Sequence, residues 1–269
     1  MEKYCEKYLQ LLGVRKERPG LEALKRIIRA HASTVPFENI SKLFYKKRSG
    51  LTSLIDFELY LDGIEKYHFG GTCYANNFYL NRLLTWLGYE VKLCGADMKN
   101  PDVHIVNIVK IENREFLVDT GYGAPFSEPF PLDLSTDYEI IIGNERYVLK
   151  PRDDNNRHQM GLFRDGMLKH GYCINPTPRQ IGEFLQVIAN SFREEATFMN
   201  ALLITRFEGD LFLSIRNLTV TEFTRSAANH QTLGSREQLA RVIERRVGIS
   251  EGIVLESLEG LQLAGDAWS

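Results

Sequence analysis

At 269 residues, 43% hydrophobic and 25% charged, the chain is long enough to bury a substantial core, in one large domain or two smaller ones. Its formal net charge of -2 argues against nucleic acid or an anionic membrane as the main partner. Four cysteines (Cys5, Cys73, Cys94 and Cys173) lie scattered with no CxxC pair, which argues against a zinc site or a disulfide scaffold; a reducing, cytoplasmic setting without a metal is expected.

The opening MEKYCEKYLQ is amphipathic and charged and lacks the layout of an export signal. Residues 1–87 read mainly as helix. In LEALKRIIRAHAST, Leu21, Leu24, Ile27 and Ile28 recur at helical spacing, and His31 among basic neighbours reads as a surface or capping residue. Val35 precedes Pro36 and is biased toward extended backbone, so VPFENI is expected to be a turn or short strand. Leu54, Phe57, Leu59 and Leu61 mark a second apolar pattern. A third begins at Cys73 and carries Phe78, Leu83, Leu84 and Leu87, with Gly88 placed for a left-handed cap.

From about residue 89 to 175, the segments EVKLCGADM, VHIVNIVKIE, REFLVDTGYG, YEIIIG and ERYVLK are short, β-branched or aromatic, and separated by turn residues. That texture predicts a sheet or barrel. TPRQIGEFLQVIANSF returns to helical spacing, and LLITRFEG with DLFLSIRNLTVTEF reads as a hairpin. SREQLARVIERRVG reads as a closing helix, from an N-cap at Ser235 to a stop at Gly248. No apolar run is long enough to span a bilayer. Helices, then strands, then a mixed segment predict an α+β chain.

The stretch HFGGTCYANN at 68–77 sets a lone cysteine behind two glycines. Glycine there permits positive φ or the close approach of another molecule. Thr72 is placed as an N-cap and Cys73 as the first helical residue, where unpaired N–H groups and the helix dipole favour a thiolate and can hold an oxyanion. Loop glycines and a merely packed cysteine are the plainer explanation, so a base is needed.

Of the histidines, His68 has aromatic neighbours and reads as packing, while His158, His170 and His230 sit in polar, loop-like sequence. His104 differs: it opens the apolar strand HIVNIVKI after the turn-like KNPD. With a two-residue turn at Glu112 and Asn113, His104 faces Gly121, and Asp119 falls diagonally on the same face. A slip of one residue would put Asp119 on the other face. An Asp in the apolar run FLVD needs hydrogen bonds or a charge, which the Nδ1–H of His104 is expected to supply. Starting the turn DTGYG is the simpler role for Asp119; with Cys73 and His104 it makes a Cys–His–Asp constellation.

Four stretches resemble the arylamine N-acetyltransferase family: VPFENI at 35–40, GGTCYANN at 70–77, VHIVNIVKIENREFLVDTGYG at 103–123 and, more loosely, TPRQIGEF at 177–184. The resemblance covers most of the chain and weakens beyond about residue 185. It implies an N-terminal helical bundle (1–87), a central β-barrel (88–184) and a C-terminal α/β lid (185–269) on a core like that of papain-like cysteine proteases. It also implies ping-pong transfer of an acetyl group from acetyl-CoA, through Cys73, to an aromatic amine or hydrazine. In that reading His104 is the base and acid, Asp119 orients the imidazole, and Phe37 and Tyr122 line the acceptor pocket. No glycine-rich phosphate loop marks where coenzyme A would lie, and no residue is singled out for it.

Members usually read Arg-Gly-Gly-x-Cys, with a Glu two residues beyond the cysteine; here those positions are Phe69 and Ala75. The family Arg engages the Glu of PFEN, so Glu38 is expected to find water, another base such as an Arg from elsewhere, or a proton. Three alternatives stay open at this point. The same triad serves amide hydrolases; a low-activity member could bind aromatic ligands or coenzyme A; and the chemistry could join larger acyl groups to an amine.

Overall fold

The computed structural model describes residues 1–263. Its first part holds α1 (Glu2–Leu12), α2 (Leu21–Thr34), β1 (Phe37–Glu38), α3 (Ile40–Ser49), α4 (Phe57–Tyr67) and α5 (Cys73–Leu87). Leu80, Leu83 and Leu84 of α5 are fully buried in one core with Tyr8 of α1, Leu24 and Ile28 of α2, and Tyr60 and Leu61 of α4. Each such side chain contributes about 1.5–3 kcal/mol by leaving water. Gly88 ends α5 at φ 93°, a conformation that strains any residue with a Cβ.

One expectation fails here. His31 is fully buried, edge-on to Tyr8, and neither ring nitrogen has a hydrogen-bond partner among the described residues. Burial pushes its pKa down to about 3, so it sits in the core as a neutral ring. The basic neighbours in sequence point away from it around the helix, which is why they mislead.

The middle of the chain forms β2 (Glu90–Asp97), β3 (His104–Ile111), β4 (Arg114–Val118), β5 (Phe130–Pro131), β6 (Tyr138–Ile142), β7 (Glu145–Leu149), β8 (His158–Arg164) and β9 (Met167–Pro178). They make one sheet in the order β5-β4-β3-β2-β9-β8-β7-β6, the nearly closed barrel of an α+β fold. Strand β3 is buried on both faces for most of its length. Ile105 and Val109 pack on the α5 side, while Val106 and Ile108 belong to the barrel interior. Alternation therefore sends His104 inward with Val106 and Ile108. In the hairpin, Ile111 lies opposite Arg114 and Asn107 opposite Val118, the register expected from a turn at Glu112 and Asn113. Asp119, two residues beyond the inward Leu117, then shares the face of His104.

The remaining elements are a 3-10 turn (Ile181–Phe184), α6 (Leu185–Asn190), α7 (Thr197–Asn200), β10 (Leu203–Glu208), β11 (Leu211–Arg216), β12 (Thr219–Phe223), β13 (Ala228–Thr232), α8 (Arg236–Val247) and α9 (Glu251–Ser257). Ser235 caps α8 by accepting from the Gln238 amide, and Gly248 stops it at φ 95°. His158, His170 and His230 lie in strands β8, β9 and β13 rather than in loops. Strand β9 buries few side chains and β13 is almost wholly exposed, so neither shows the alternation that marks a strand.

Strand β1 crosses from the helical part into the second sheet, ordered β1-β10-β11-β12-β13. Phe37 pairs with Thr205 on one side and bridges Gly71 on the other. Gly70 serves this approach, Gly71 makes room for the first turn of α5, and neither adopts positive φ. A Cβ on Gly70 would lie 1.8 Å from the Pro36 carbonyl oxygen, and one on Gly71 would lie 2.9 Å from Ala75 Cβ. Gly70→Ala is therefore expected to cost at least ~2 kcal/mol in urea unfolding, whereas Gly182→Ala, with nothing within 4 Å of the added carbon, stays within about 0.5 kcal/mol of the native protein.

Candidate active site

Thr72 stands at the N-cap of α5, although its hydroxyl makes no capping bond, and Cys73 is the first helical residue. The Cys73 side chain packs with Leu93, Ile105, Phe184 and Ile188. Its sulfur lies 3.9 Å from the Val103 carbonyl oxygen. His104 Nε2 is 2.8 Å from Asp119 Oδ2. That corrects one expectation: Nε2, not Nδ1, faces the carboxylate. Cys73 is near enough to the ring to help raise its pKa.

Asp119 is 2% exposed and its carboxylate is fully engaged. Besides His104, it accepts hydrogen bonds from Asn77 Nδ2 (2.8 Å), the Gly121 amide (2.9 Å) and the Tyr172 hydroxyl (2.7 Å). Asn77 also donates to the Ile105 carbonyl (2.6 Å) and accepts from the Thr120 amide (2.9 Å), so one α5 side chain ties both strands of the hairpin to the helix. Sequence reasoning missed Asn77 and Tyr172. Asn77 had a signal, since it lies one helical turn beyond Cys73 and so on the same face. Tyr172 had none, because only the pairing of β9 with β2 brings it here.

Burial by itself lowers the pKa of His104, but the charge and hydrogen bond of Asp119, reinforced by Cys73, raise it from 6.5 to about 10. For Asp119, burial works the other way and is outweighed by the His104 charge and the hydrogen bonds from His104, Asn77 and Tyr172, which hold it below its ordinary value. The pair is thus an imidazolium and a carboxylate at neutral pH. Burial pushes the Cys94 thiol up to about 12 and raises Cys5 and Cys173 as well.

The approach to His104 is fastened. Asp102 takes φ 57°, its amide donates to Asp97 Oδ1, its carbonyl accepts from the Tyr74 hydroxyl, and its carboxylate pairs with Arg179 at 3.3 Å. Arg179 in turn holds Glu183, so the stretch TPRQIGEF acts as a brace for this loop.

Phe37 meets Phe198 edge-on at 5.7 Å and lines a small cavity with Gly123 and Phe126. Tyr122 lies 5.8 Å from the His104 ring and bonds His170 Nδ1 at 2.8 Å. Phe69 is 1% exposed within an aromatic cluster of Phe44, Tyr45 and Tyr67. Glu38, fully buried, accepts from the amides of Ser41 (2.8 Å) and Gly70 (3.0 Å), and burial raises its pKa. Of the partners expected for Glu38, no Arg takes that place; backbone amides do, in a setting that favours the protonated carboxyl.

Among the described residues, no cluster of three or more His, Cys, Asp or Glu side chains could hold a metal, and no helix is long and apolar enough to cross a membrane. Because the His104 pKa is raised, its contribution to stability is complete below about 6.5 and is lost as pH climbs toward 10. Thermal unfolding from pH 6 to about 10 should therefore show a steeper fall in midpoint for the native protein than for His104→Gln. Parallel curves would mean that His104 carries no extra proton.

A family model described as N-acetyltransferase matches residues 20–253. Among characterised proteins, the chain is 36% identical over 131 residues to an N-malonyltransferase of Fusarium pseudograminearum, covering 42% of this chain and 37% of that protein. It is 32% identical over 126 residues to an arylamine N-acetyltransferase of the Gallus gallus pineal gland (44% and 42% covered), and 32% identical over 164 residues to proansamycin X synthase of Amycolatopsis mediterranei (55% and 62% covered). The chain thus spans about two to three fifths of the length of these relatives. The fold superimposes on the arylamine N-acetyltransferase of Salmonella typhimurium with a TM-score of 0.80 at 18% identity, covering 97% of this chain and 100% of that one. It superimposes on the Mycobacterium marinum enzyme in complex with CoA with a TM-score of 0.80 at 20% identity, covering 96% and 100%. With the family model spanning most of its length, the chain belongs to the arylamine N-acetyltransferase family.

Proposed function

We propose that the protein transfers an acetyl group from acetyl-CoA to an arylamine or arylhydrazine through a thioester on Cys73. The observation that carries this reading is the buried His104–Asp119 pair, set near a cysteine at the first residue of a 15-residue helix. A neighbouring imidazolium and a helix N-terminus are the two settings that make a cysteine sulfur nucleophilic.

In the first half-reaction the Cys73 thiolate attacks the thioester carbonyl of acetyl-CoA. Charge gathers on the carbonyl oxygen, where the Cys73 amide can donate to it. The intermediate collapses by breaking the bond to coenzyme A, whose sulfur takes the proton from His104. In the second half-reaction the amine nitrogen attacks the acetyl carbon and gives its proton to the now neutral His104. The carbon–sulfur bond to Cys73 breaks, and the imidazolium–thiolate pair returns. Asp119 does not exchange protons; with Asn77 and Tyr172 it holds the ring in place.

The acceptor and the acyl group are the variable parts. One relative is named an N-malonyltransferase and others arylamine N-acetyltransferases, and an acyl-enzyme on cysteine suits both.

Incubation with acetyl-CoA alone should add one acetyl group, which peptide mapping places on Cys73. Cys73→Ala should show no acetyl-enzyme and lose at least ~1,000-fold in kcat/KM toward a panel of amines. Release of free acetate without acetylated amine would instead mark a hydrolase. Tyr172→Phe removes one hydrogen bond to a buried carboxylate, worth about 1.5–3 kcal/mol, and should slow single-turnover acetylation by roughly tenfold or more. An unchanged rate would show that the tyrosine does not help to position the pair.

A further inference from the structure

Lys42, on α3, is the buried cation that this mechanism does not use. It is 9% exposed, and its ammonium donates to Ser191 Oγ at 2.6 Å and lies 4.1 Å from the centre of the Phe192 ring. Neither partner is charged. Burial lowers its pKa to about 8; the other groups that act on it are the Cys73 sulfur and Lys46, with no carboxylate among them. By contrast, buried His104 meets Asp119 and buried Glu145 meets Arg164. An ammonium has three protons to donate, and a hydroxyl and an aromatic face are poor compensation for its lost hydration.

Lys42 lines a cavity of about 50 Å³ bounded by Gly71, Thr72 and Ala75 around the start of α5, and by Ile188, Ser191 and Phe192 across from it. Ile188 and Phe192 also belong to the cluster that contains Cys73, so the cavity borders the packing around the nucleophile, although Cys73 itself does not line it. Ala75 stands where the family usually places a Glu, so the chain carries no acid of its own at that point. At about 10–15 Å³ of such space per water, the cavity has room for several waters, so a small charged group fits.

We propose that this cavity is a carboxylate subsite of the acyl-transfer centre, with Lys42 as counter-ion, and that it receives the free carboxylate of a short dicarboxylic acyl group carried by the donor thioester. The proposal rests on the reading that Cys73 becomes acylated. A carboxylate can also arrive on the acceptor, as in an aminobenzoate. The nearness of the cavity to the start of α5 and to the packing around Cys73 favours the acyl chain.

The test measures single-turnover loading of Cys73 by mass with malonyl-CoA, acetyl-CoA and 3-methylbutanoyl-CoA, the last a neutral isostere of the malonyl group. The native protein should load malonyl at least several-fold faster than the isostere. In Lys42→Met the ratio of malonyl to acetyl loading should fall about tenfold or more. A second arm keeps acetyl-CoA as donor and compares 4-aminobenzoate with a neutral amine. If only that ratio falls in Lys42→Met, the carboxylate belongs to the acceptor and the acyl-chain assignment is overturned. Ratios unchanged within twofold in both arms, or a native protein that loads the isostere as fast as malonyl, overturn the subsite. The native comparison decides even where Lys42→Met does not fold. Absence of any acyl-enzyme with all three donors is a separate result, and it overturns the acyl-transfer reading together with this one.

Discussion

A carboxylate with 2% exposure at the end of a barrel strand is tolerable only if every lone pair is used, and Asp119 meets that condition with four donors from four parts of the chain. Leaving any one of them out would strand charge in a medium that solvates it poorly. The requirement works in both directions. It fixes the ring plane of His104, and it also obliges α5, the β3–β4 hairpin and β9 to meet at one point. The geometry around the sulfur is thus a by-product of satisfying an anion, and that is why it is rigid.

The backbone before Cys73 is held by a different kind of contact. Gly70 lets the chain entering β1 lie against the loop at a separation no side chain would allow, and Gly71 clears Ala75 of α5. Where relatives use an Arg to hold the Glu of PFEN, this chain buries Phe69 in an aromatic cluster and hands Glu38 to two backbone amides. An ion pair has been exchanged for apolar packing plus hydrogen bonds to the main chain. Such an exchange is often neutral for stability when the volume is filled. The loop keeps its place because its position is set by close packing of glycine backbone more than by the charge that was lost.

Much of this was legible in the sequence, and the reasons are local. The two-residue turn at Glu112 and Asn113 set the register, and the register set the face of Asp119. Gly88, Ser235 and Gly248 mark helix ends by rules that need no tertiary information. What escaped were properties that depend on distant partners. His31 looks solvent-exposed among its charged neighbours, yet the orientation of α2 buries it against Tyr8. The choice between Nε2 and Nδ1 is a ring orientation, and no spacing encodes it. Tyr172 reaches Asp119 across 53 residues through the neighbouring strand. The two glycines were read as room for a visiting molecule; Gly70 is also crowded by the chain's own Pro36 carbonyl and Gly71 by Ala75.

Strand β1 has one more implication. Its outer partner is β10, and Asn39 beside it bonds the carbonyls of Phe198 and Ala201 and the amide of Leu203. The loop that presents Cys73 is therefore pinned by residues that leave the ribosome more than a hundred positions after the cysteine itself. A nascent chain carries its cysteine for that whole interval without these contacts. The bracing of the loop is completed only when the last sheet is in place.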